Sequence, residues 1–425
     1  MKVCVVGSGG REHALALALG RTADVVVTPG NPGMATVTPE GYTVSVTGHP
    51  PHDVEADLVV IGPEQPLVEG LADRLRADRR LVLGPGADGA RLEGSKAFMK
   101  DLLAEARVPT ARYGVFDDPA EARAFLRSLP GPWVVKTDGL AAGKGVLVTD
   151  SMKEAEADVD AKLSGKSFGD AGRKIVVEEG LQGVECSLLA LCDGRRVVPL
   201  PAAQDFKRVA DGDEGPNTGG MGAYSPVPTV DDRLVDRVLD EAVEPLVAAL
   251  RRRGIDYRGV LYAGLMVGPD GPRVLEYNVR FGDPETQVVL PRIDEDVTGL
   301  LAEAAAGRLR TEVRPAGRAA VCVVLAAPGY PTDPRTGDVI EGLERTVELP
   351  DVTILHAGTA LDPEGRLVTA GGRVLGVRAV GSDVAAARRL AYDAAELIDW
   401  PDMVMRTDIA AEAAAAARDL AERSR

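Results

Sequence analysis

The sequence predicts a multidomain chain of mixed α/β and α+β class, and three observations carry that reading. At 425 residues the chain exceeds what one hydrophobic core usually organises. Its first hundred residues alternate short β-branched runs with helical stretches, as a parallel sheet with helices on its faces requires. From residue 111 the strands gather around few helices, which reads as α+β.

In chain order, strands are expected at 3–6, 25–28, 58–61 and 81–84, with a helix over 12–19, forming an N-terminal domain of residues 1–101. The loops at 7–10, 29–33 and 62–64 all leave strand C-terminal ends, the edge where open α/β sheets bind ligands. A helix over 100–107 stops at Val108-Pro109-Thr110, which marks the entry to a second unit, 102–312. That unit divides into a small lobe (111–185; strands 133–136, 145–148, 175–179; helix 118–129) and a central lobe (186–312; strands 186–191, 260–267, 273–279; helix 234–252). After Pro315 and Gly317 a strand over 319–326 opens a third domain, 313–425, which ends in an Ala-rich helix at 409–422.

Composition narrows the function. Hydrophobic residues at 45% and charged residues at 27% are ordinary for a globular chain, so the whole length is expected to fold. A net charge of -16 argues against general binding to nucleic acid or an anionic membrane, so any phosphate site must be local. No run of 18 apolar residues occurs, and the opening Met1-Lys2-Val3-Cys4-Val5-Val6-Gly7 reads as a strand feeding a glycine loop instead of a signal peptide. Cys4, Cys186, Cys192 and Cys322 show neither CxxC nor zinc spacing and read as reduced packing residues, which points to the cytoplasm.

The first glycine loop resembles a dinucleotide fingerprint only in part. Glu12 stands where the third glycine belongs, and the second strand ends in Thr28-Pro29-Gly30 without a ribose-binding acid. A helix N-terminus with free N–H groups beside Arg11 remains, suited to one phosphate monoester, with a plain tight turn as the alternative.

A second glycine-rich segment runs from Lys136 through Asp138 to Lys144 and Gly145. It is not a Walker A loop, because Gly145 follows Lys144 where a hydroxyl should meet magnesium. Lys144 lies on a loop able to fold over a triphosphate, and Lys136 closes a strand; the alternative is a hairpin with two solvated lysines. The apolar strand 175–179 ends in Glu178-Glu179-Gly180-Leu181. Backbone groups of Glu179 and Leu181 are placed to read an adenine edge and Glu185 to accept from a ribose, or these are exposed carboxylates at a strand end.

In Arg273-Val274-Leu275-Glu276-Tyr277-Asn278-Val279-Arg280, alternation predicts Glu276, Asn278 and Arg280 on one polar face and Leu275, Tyr277 and Val279 on the core face. Glu276 and Asn278 offer hard oxygen ligands for Mg²⁺, and Arg280 can pair with a phosphoryl group. The four histidines form no nucleophilic triad, and His13 is expected to pack against or cap its helix.

Together with Gly94-Ser95-Lys96, Gly215 to Pro226 and above all Arg280-Phe281-Gly282-Asp283-Pro284-Glu285-Thr286-Gln287, these motifs resemble the glycinamide ribonucleotide synthetase family of the ATP-grasp superfamily, in order from Gly7 through Gly376. The resemblance implies an ATP-grasp fold with an N-terminal Rossmann-like domain, a lid lobe, a central catalytic lobe and a C-terminal domain. It implies that Lys96, Lys136 and Lys144 contact nucleotide, with Glu179, Leu181 and Glu185 around adenosine. Glu276 and Asn278 would hold Mg²⁺ or Mn²⁺, and Arg280, Lys144 and Asp283 would lie at the reacting phosphate. Gly9, Gly10, Arg11, Asn31 and Glu64 would face a sugar phosphate, and Asp205 would also meet substrate. The implied partners are small molecules, ATP, glycine and 5-phosphoribosylamine, joined through glycyl phosphate by a monomer or homodimer. Another ATP-grasp carboxylate–amine ligase, or an idle nucleotide binder, is the alternative. Phe206 stands where relatives commonly carry His, so no proton transfer is assigned there, and the strand 260–267 lacks the acid that many ATP-grasp enzymes place before the Glu-x-Asn pair.

Overall fold

A computed structural model describes residues 1–140, 145–165 and 173–423. The N-terminal sheet has six strands, in the order Thr36–Val37, Thr43–Val46, Asp24–Pro29, Lys2–Gly7, Leu58–Ile61 and Leu81–Leu83. Pairing is parallel throughout except at the Thr36–Val37 edge. Both outermost strands on that edge escape the sequence reading. Thr36–Val37 is exposed at both residues and Thr43–Val46 buries only Val44, so neither presents an apolar run.

Helix Lys96–Ala106, capped by Ser95 Oγ accepting from Phe98 N at 3.1 Å, leads into the small lobe. Its antiparallel sheet orders Tyr113–Phe116, Ile175–Glu179, Trp133–Thr137 and Val146–Thr149. Helices Pro119–Ser128 and Met152–Leu163 cover one face. Ala122, Leu126, Val135, Ala155, Val159, Ile175 and Val177 close a core separate from the rest of the molecule. The lobe therefore holds itself together without its neighbours.

The central sheet orders Val197–Pro199, Val184–Asp193, Arg258–Gly268 and Gly271–Asn278, all antiparallel. The stretch 234–252, expected as one helix, is Asp232–Val238, a wide π turn at Leu239–Val243, and Glu244–Arg252. Pro245 has no N–H to donate one turn back, and the Glu244 N–H reaches Leu239 O instead, which widens the turn. The last sheet orders Gln204–Asp205, Gly222–Ser225, Ala319–Ala326, Arg373–Gly381 and Val352–His356. Residues 204–205 and 222–225 thus leave the central lobe's sheet and add to the C-terminal one.

One core cluster runs through Val3, Leu15, Leu189, Tyr262, Val288, Leu300, Cys322 and Leu355, so the N-terminal, central and C-terminal parts pack as one body. All four cysteines are free and buried, with burial pushing their thiols up to about 11 or 12. Among the described residues no helix is long and apolar enough to cross a membrane.

Candidate functional site

The site forms where these parts meet, and the strand Gly271–Asn278 is its spine. Glu276 and Asn278 are half-buried on one face, as alternation requires, and Tyr277 lies in the core on the other. Leu275 departs from the expectation. Glu276 pairs with Gly264 and Val274 with Leu265, so Leu275 is the extra residue of a β-bulge, and Val274 takes the core position instead. The bulge turns the Leu275 carbonyl toward Lys136, whose Nζ donates to it at 3.1 Å.

Lys136 also meets Glu178 Oε2 at 3.1 Å, and Glu178 Oε1 meets Lys100 Nζ at 3.0 Å. Burial pushes the Glu178 carboxyl up, but Lys136 and Lys100 more than offset it and hold the group below the ordinary range. Lys96, at the start of the helix that also bears Lys100, donates to Gly139 O at 3.2 Å. Asp138 Oδ1 accepts from Ser95 Oγ at 2.9 Å and Ala97 N at 2.8 Å, so the glycine-rich loop is fastened at its start to that helix. Lys144, with residues 141–143, lies outside the described residues.

At the small lobe's rim Glu179 is largely committed. Its N–H donates to Arg112 O at 3.0 Å and its carboxylate accepts Arg112 N at 3.0 Å, with Arg273 at 3.6 Å. The Glu179 N–H is therefore taken by the lobe's own edge. Leu181 follows, half-buried, after Gly180, whose N–H is held by Pro132 O. Glu185 pairs with Lys207, which also lies 4.0 Å from Glu276 Oε1. Asp205 sits beside them with Oδ1 sealed from solvent and unpartnered, and burial pushes its carboxyl well up. Phe206, between them in sequence, points the other way, 6.2 Å from the Tyr224 ring and under the Arg406 guanidinium at 4.9 Å. Its side chain serves the C-terminal core, in keeping with the absence of a proton-transfer role.

Two residues past the spine stands Arg280. Its Nη2 is 2.9 Å from Glu93 Oε1 and its Nε 3.4 Å from Glu64 Oε2, while Nε itself is buried without a hydrogen bond. Burial pushes both carboxyls up. Arg280 and Arg11 overcome this at Glu64, which stays below the ordinary range, whereas fully enclosed Glu93 stays above it.

Beyond Arg280 the chain meets the N-terminal glycine loop. Arg11 donates to Phe281 O at 3.1 Å and binds Glu12 Oε1 at 2.6 Å. The helix start is not free as expected, because Glu12 Oε2 accepts Gly9 N at 2.7 Å. Glu12 folds back beneath Gly62, where a Cβ would meet its Oε1 at 2.0 Å. A Cβ on Gly10 would lie 3.2 Å from Gln287 Nε2, so Gly10 lets backbone approach that turn closely, while one on Gly9 would stand 3.7 Å from Asp283 Oδ2, an ordinary contact.

Asp283 is expected at the reacting phosphate, yet its carboxylate is occupied by Arg373 Nη2 at 2.8 Å and Gln287 Nε2 at 2.7 Å. Arg373 also donates to Asp283 O and Gly219 O, stitching the C-terminal domain to the site. Asn31 ties two parts together as well, donating to Ser8 O at 2.9 Å and His356 O at 3.0 Å. His13 packs as expected but does not cap its helix; its Nδ1 accepts His356 N at 2.8 Å, and burial lowers the two imidazoles to about 3 and about 4.

Among the described residues no group of three or more His, Cys, Asp or Glu could hold a metal ion. One carboxylate and one amide oxygen on adjacent same-face positions nevertheless suit a hard cation that takes its remaining oxygens from phosphates. Lys207, Lys136, Lys96 and Arg280 surround Glu276 and, outweighing burial, keep it ionised. The donor set fits Mg²⁺ or Mn²⁺ with a polyphosphate.

Sequence reasoning missed Glu12, Glu93, Glu178, Lys207 and Arg373 as site residues. Each adjoins a recognised motif; Glu12 is held by its neighbours Gly9 and Arg11, whereas the roles of the other four come from partners far away in the chain.

Comparison with known proteins matches three successive stretches of the chain. The N, ATP-grasp (A) and C domains of phosphoribosylglycinamide synthetase match residues 1–93, 94–286 and 320–412. The phosphoribosylamine–glycine ligase of Streptomyces coelicolor is 49% identical over 98% of this chain and 100% of its own length, and that of Mesorhizobium japonicum 47% over the same shares. The crystal structure of the Thermotoga maritima phosphoribosylamine–glycine ligase superposes with a TM-score of 0.82 at 36% identity, covering 96% of this chain and 100% of that one. At 18% identity and a TM-score of 0.68, covering 95% and 91%, the biotin carboxylase domain of Hydrogenobacter thermophilus 2-oxoglutarate carboxylase, solved with MgADP, shares the fold alone. The fold is ATP-grasp, with an N-terminal α/β domain and a C-terminal domain packed on it. Matched by these domains in succession and nearly half identical to ligases along almost its full length, the chain belongs to the phosphoribosylglycinamide synthetase family.

Proposed function

We propose that the chain joins glycine to 5-phosphoribosylamine with ATP, giving glycinamide ribonucleotide, ADP and phosphate in de novo purine synthesis. The observation that carries this reading is the turn at 280–283. It begins at Arg280, two residues past the strand that bears Glu276 and Asn278, and reaches Asp283, which lies near Gly9. Phosphate-handling groups and a sugar-phosphate loop thus flank one turn.

In this reading ATP lies between the small lobe and the central sheet, with Lys96, Lys136 and Lys144 on its phosphates and Glu179, Leu181 and Glu185 around adenosine. Glycine's carboxylate attacks the γ-phosphorus and ADP leaves. The amine of phosphoribosylamine then displaces phosphate from glycyl phosphate and loses a proton as the amide forms. No protein nucleophile is needed, because positioning and charge stabilisation suffice. A divalent cation held by Glu276 and Asn278 would neutralise charge on the β- and γ-phosphates. Arg280, with its buried unpartnered Nε, and Lys144 stabilise the transferred phosphoryl group. Gly9, Gly10, Arg11, Asn31 and Glu64 face the sugar phosphate, Asp205 meets substrate, and Asp283, held by Arg373, sets the turn that carries Arg280. We place the activity in the cytoplasm, where four unpaired cysteines stay reduced.

The test is ADP release by purified protein with MgATP and glycine, with and without phosphoribosylamine generated in situ. Release that needs both, with glycinamide ribonucleotide as product, supports the assignment. Release with a different acid or amine removes the substrate reading, and no release under any pairing removes the activity.

A further inference from the structure

Glu276 faces a cation that the chain supplies itself. Lys207 Nζ pairs with Glu185 and lies 4.0 Å from Glu276 Oε1, so a single ammonium spans the carboxylate assigned above to ribose and the carboxylate assigned to metal. Its backbone cannot follow the side chain. Phe206 N donates to Gly222 O at 3.0 Å, the Lys207 carbonyl accepts Thr218 N at 2.7 Å and Thr218 Oγ1 at 2.8 Å, and Phe206 is packed into the C-terminal core. What remains movable is a flexible four-carbon stem on a fixed anchor.

We propose that Lys207 is a positioning residue, a tethered counter-ion that pairs with the carboxylates assigned to metal and ribose and is displaced from both when metal and nucleotide arrive. The proposal rests on the metal and adenosine assignments made above. With its Nζ on Glu185 and close to Glu276, the Lys207 ammonium competes with an incoming cation for Glu276. Because one ammonium serves both carboxylates, a nucleoside that takes Glu185 also loosens Lys207 from Glu276. Metal and nucleoside then bind cooperatively even where they share no phosphate.

The test measures Mn²⁺ binding by electron paramagnetic resonance of the free ion, for wild type, Lys207→Met and Lys207→Arg, with and without adenosine, which has a ribose but no phosphate. Without adenosine, Lys207→Met should bind Mn²⁺ on the order of tenfold more tightly than wild type, the scale of one close charge pair, and Lys207→Arg should match wild type. Adenosine should tighten Mn²⁺ binding in wild type and leave Lys207→Met unchanged. Equal or weaker Mn²⁺ binding by Lys207→Met overturns the proposal, as does adenosine coupling that survives the substitution. Should Lys207→Met not fold, the wild type decides: in a crystal structure with Mn²⁺ and a non-hydrolysable ATP analogue, a Lys207–Glu185 pair still intact overturns the proposal, and a broken one supports it. Wild-type protein that takes up no Mn²⁺ even with ATP removes the metal assignment itself, and this proposal with it.

Discussion

Replacing Glu178 by Gln should loosen the small lobe by about 3 kcal/mol at pH 7, and the reasoning comes from three atoms. The Glu178 carboxylate, 2% exposed, is the shared partner of Lys100 Nζ at 3.0 Å and Lys136 Nζ at 3.1 Å, and Lys100 is itself fully enclosed. Gln keeps the shape but loses the charge, and it turns an N–H₂ group toward one of two ammoniums. Removing one partner from a buried ion pair costs about 3–5 kcal/mol, because the remaining charge stays desolvated. Lys100 can relieve part of this by releasing its proton, since burial already lowers it to about 8. The loss should therefore settle at the lower end of that range.

The relief has a pH signature. Without Glu178 the folded-state value of Lys100 falls further, so wild type holds a proton there that the variant does not. The stability gap between them should narrow as pH rises toward 8, where wild-type Lys100 is itself half neutral. Urea unfolding followed by Trp133 fluorescence in a Trp400→Phe background reports this lobe, because Trp133 sits in its sheet and the chain has only two tryptophans. A gap below about 1 kcal/mol at pH 7, or one that widens with pH, would refute the account of a buried three-way ion cluster.

Three further outcomes follow from the same geometry. In wild type, Lys100 binds more protons unfolded than folded between its folded value of about 8 and the ordinary lysine value of 10.5, so the small lobe should gain about 2 kcal/mol between pH 8 and pH 10, read by the same unfolding curves. Glu276→Ala should lower kcat on the order of 10²–10³-fold and leave stability within about 0.5 kcal/mol; near-normal turnover removes the metal assignment. Gly62→Ala should displace Glu12, whose Oε1 lies 2.0 Å from the added carbon, destabilise the chain by about 1–3 kcal/mol and raise KM for phosphoribosylamine but not for ATP; steady-state kinetics with each substrate varied would expose an unchanged pattern.

Much of this was legible because it is periodic. The strands at Lys2–Gly7, Ile175–Glu179 and Ala319–Ala326 are nearly continuous buried runs, and their apolar pattern marks them within a residue. Helix Met152–Leu163 had a readable start, Ser151 with Glu154 three residues on, and Ser151 Oγ does accept Glu154 N at 3.3 Å. Its short buried set, Ala155, Val159 and Lys162, gave the apolar face too little weight to be noticed. Alternation placed Glu276 and Asn278 on one face correctly and failed one residue earlier, because a bulge at Leu275 depends on the register of the partner strand, which no local window contains.

The partners that no local window supplies share a physical cause. Arg280 was visible as a phosphate candidate, but Glu93, which holds it, is 187 residues away. Asp283 was visible as an acid in a signature turn, but Arg373, which occupies it, is 90 residues away. Asn31 was visible beside a glycine loop, and its amide reaches a carbonyl 325 residues on. A residue type reports which interactions are open to a side chain, whereas the partner that takes them is chosen by packing between domains. Where three domains meet, buried charge must find its counter-charge across the junction, since leaving it unpaired costs more than most single contacts return. The residues that hold the junction are therefore charged, beside the chemistry and hard to tell from it by sequence. Separating the two roles takes substitutions that keep the ion pair while changing its reach, such as Arg373→Lys. If Asp283 acts directly, kcat falls while its neighbours stay in place. If it acts only by setting the turn, stability and KM for the sugar phosphate move first.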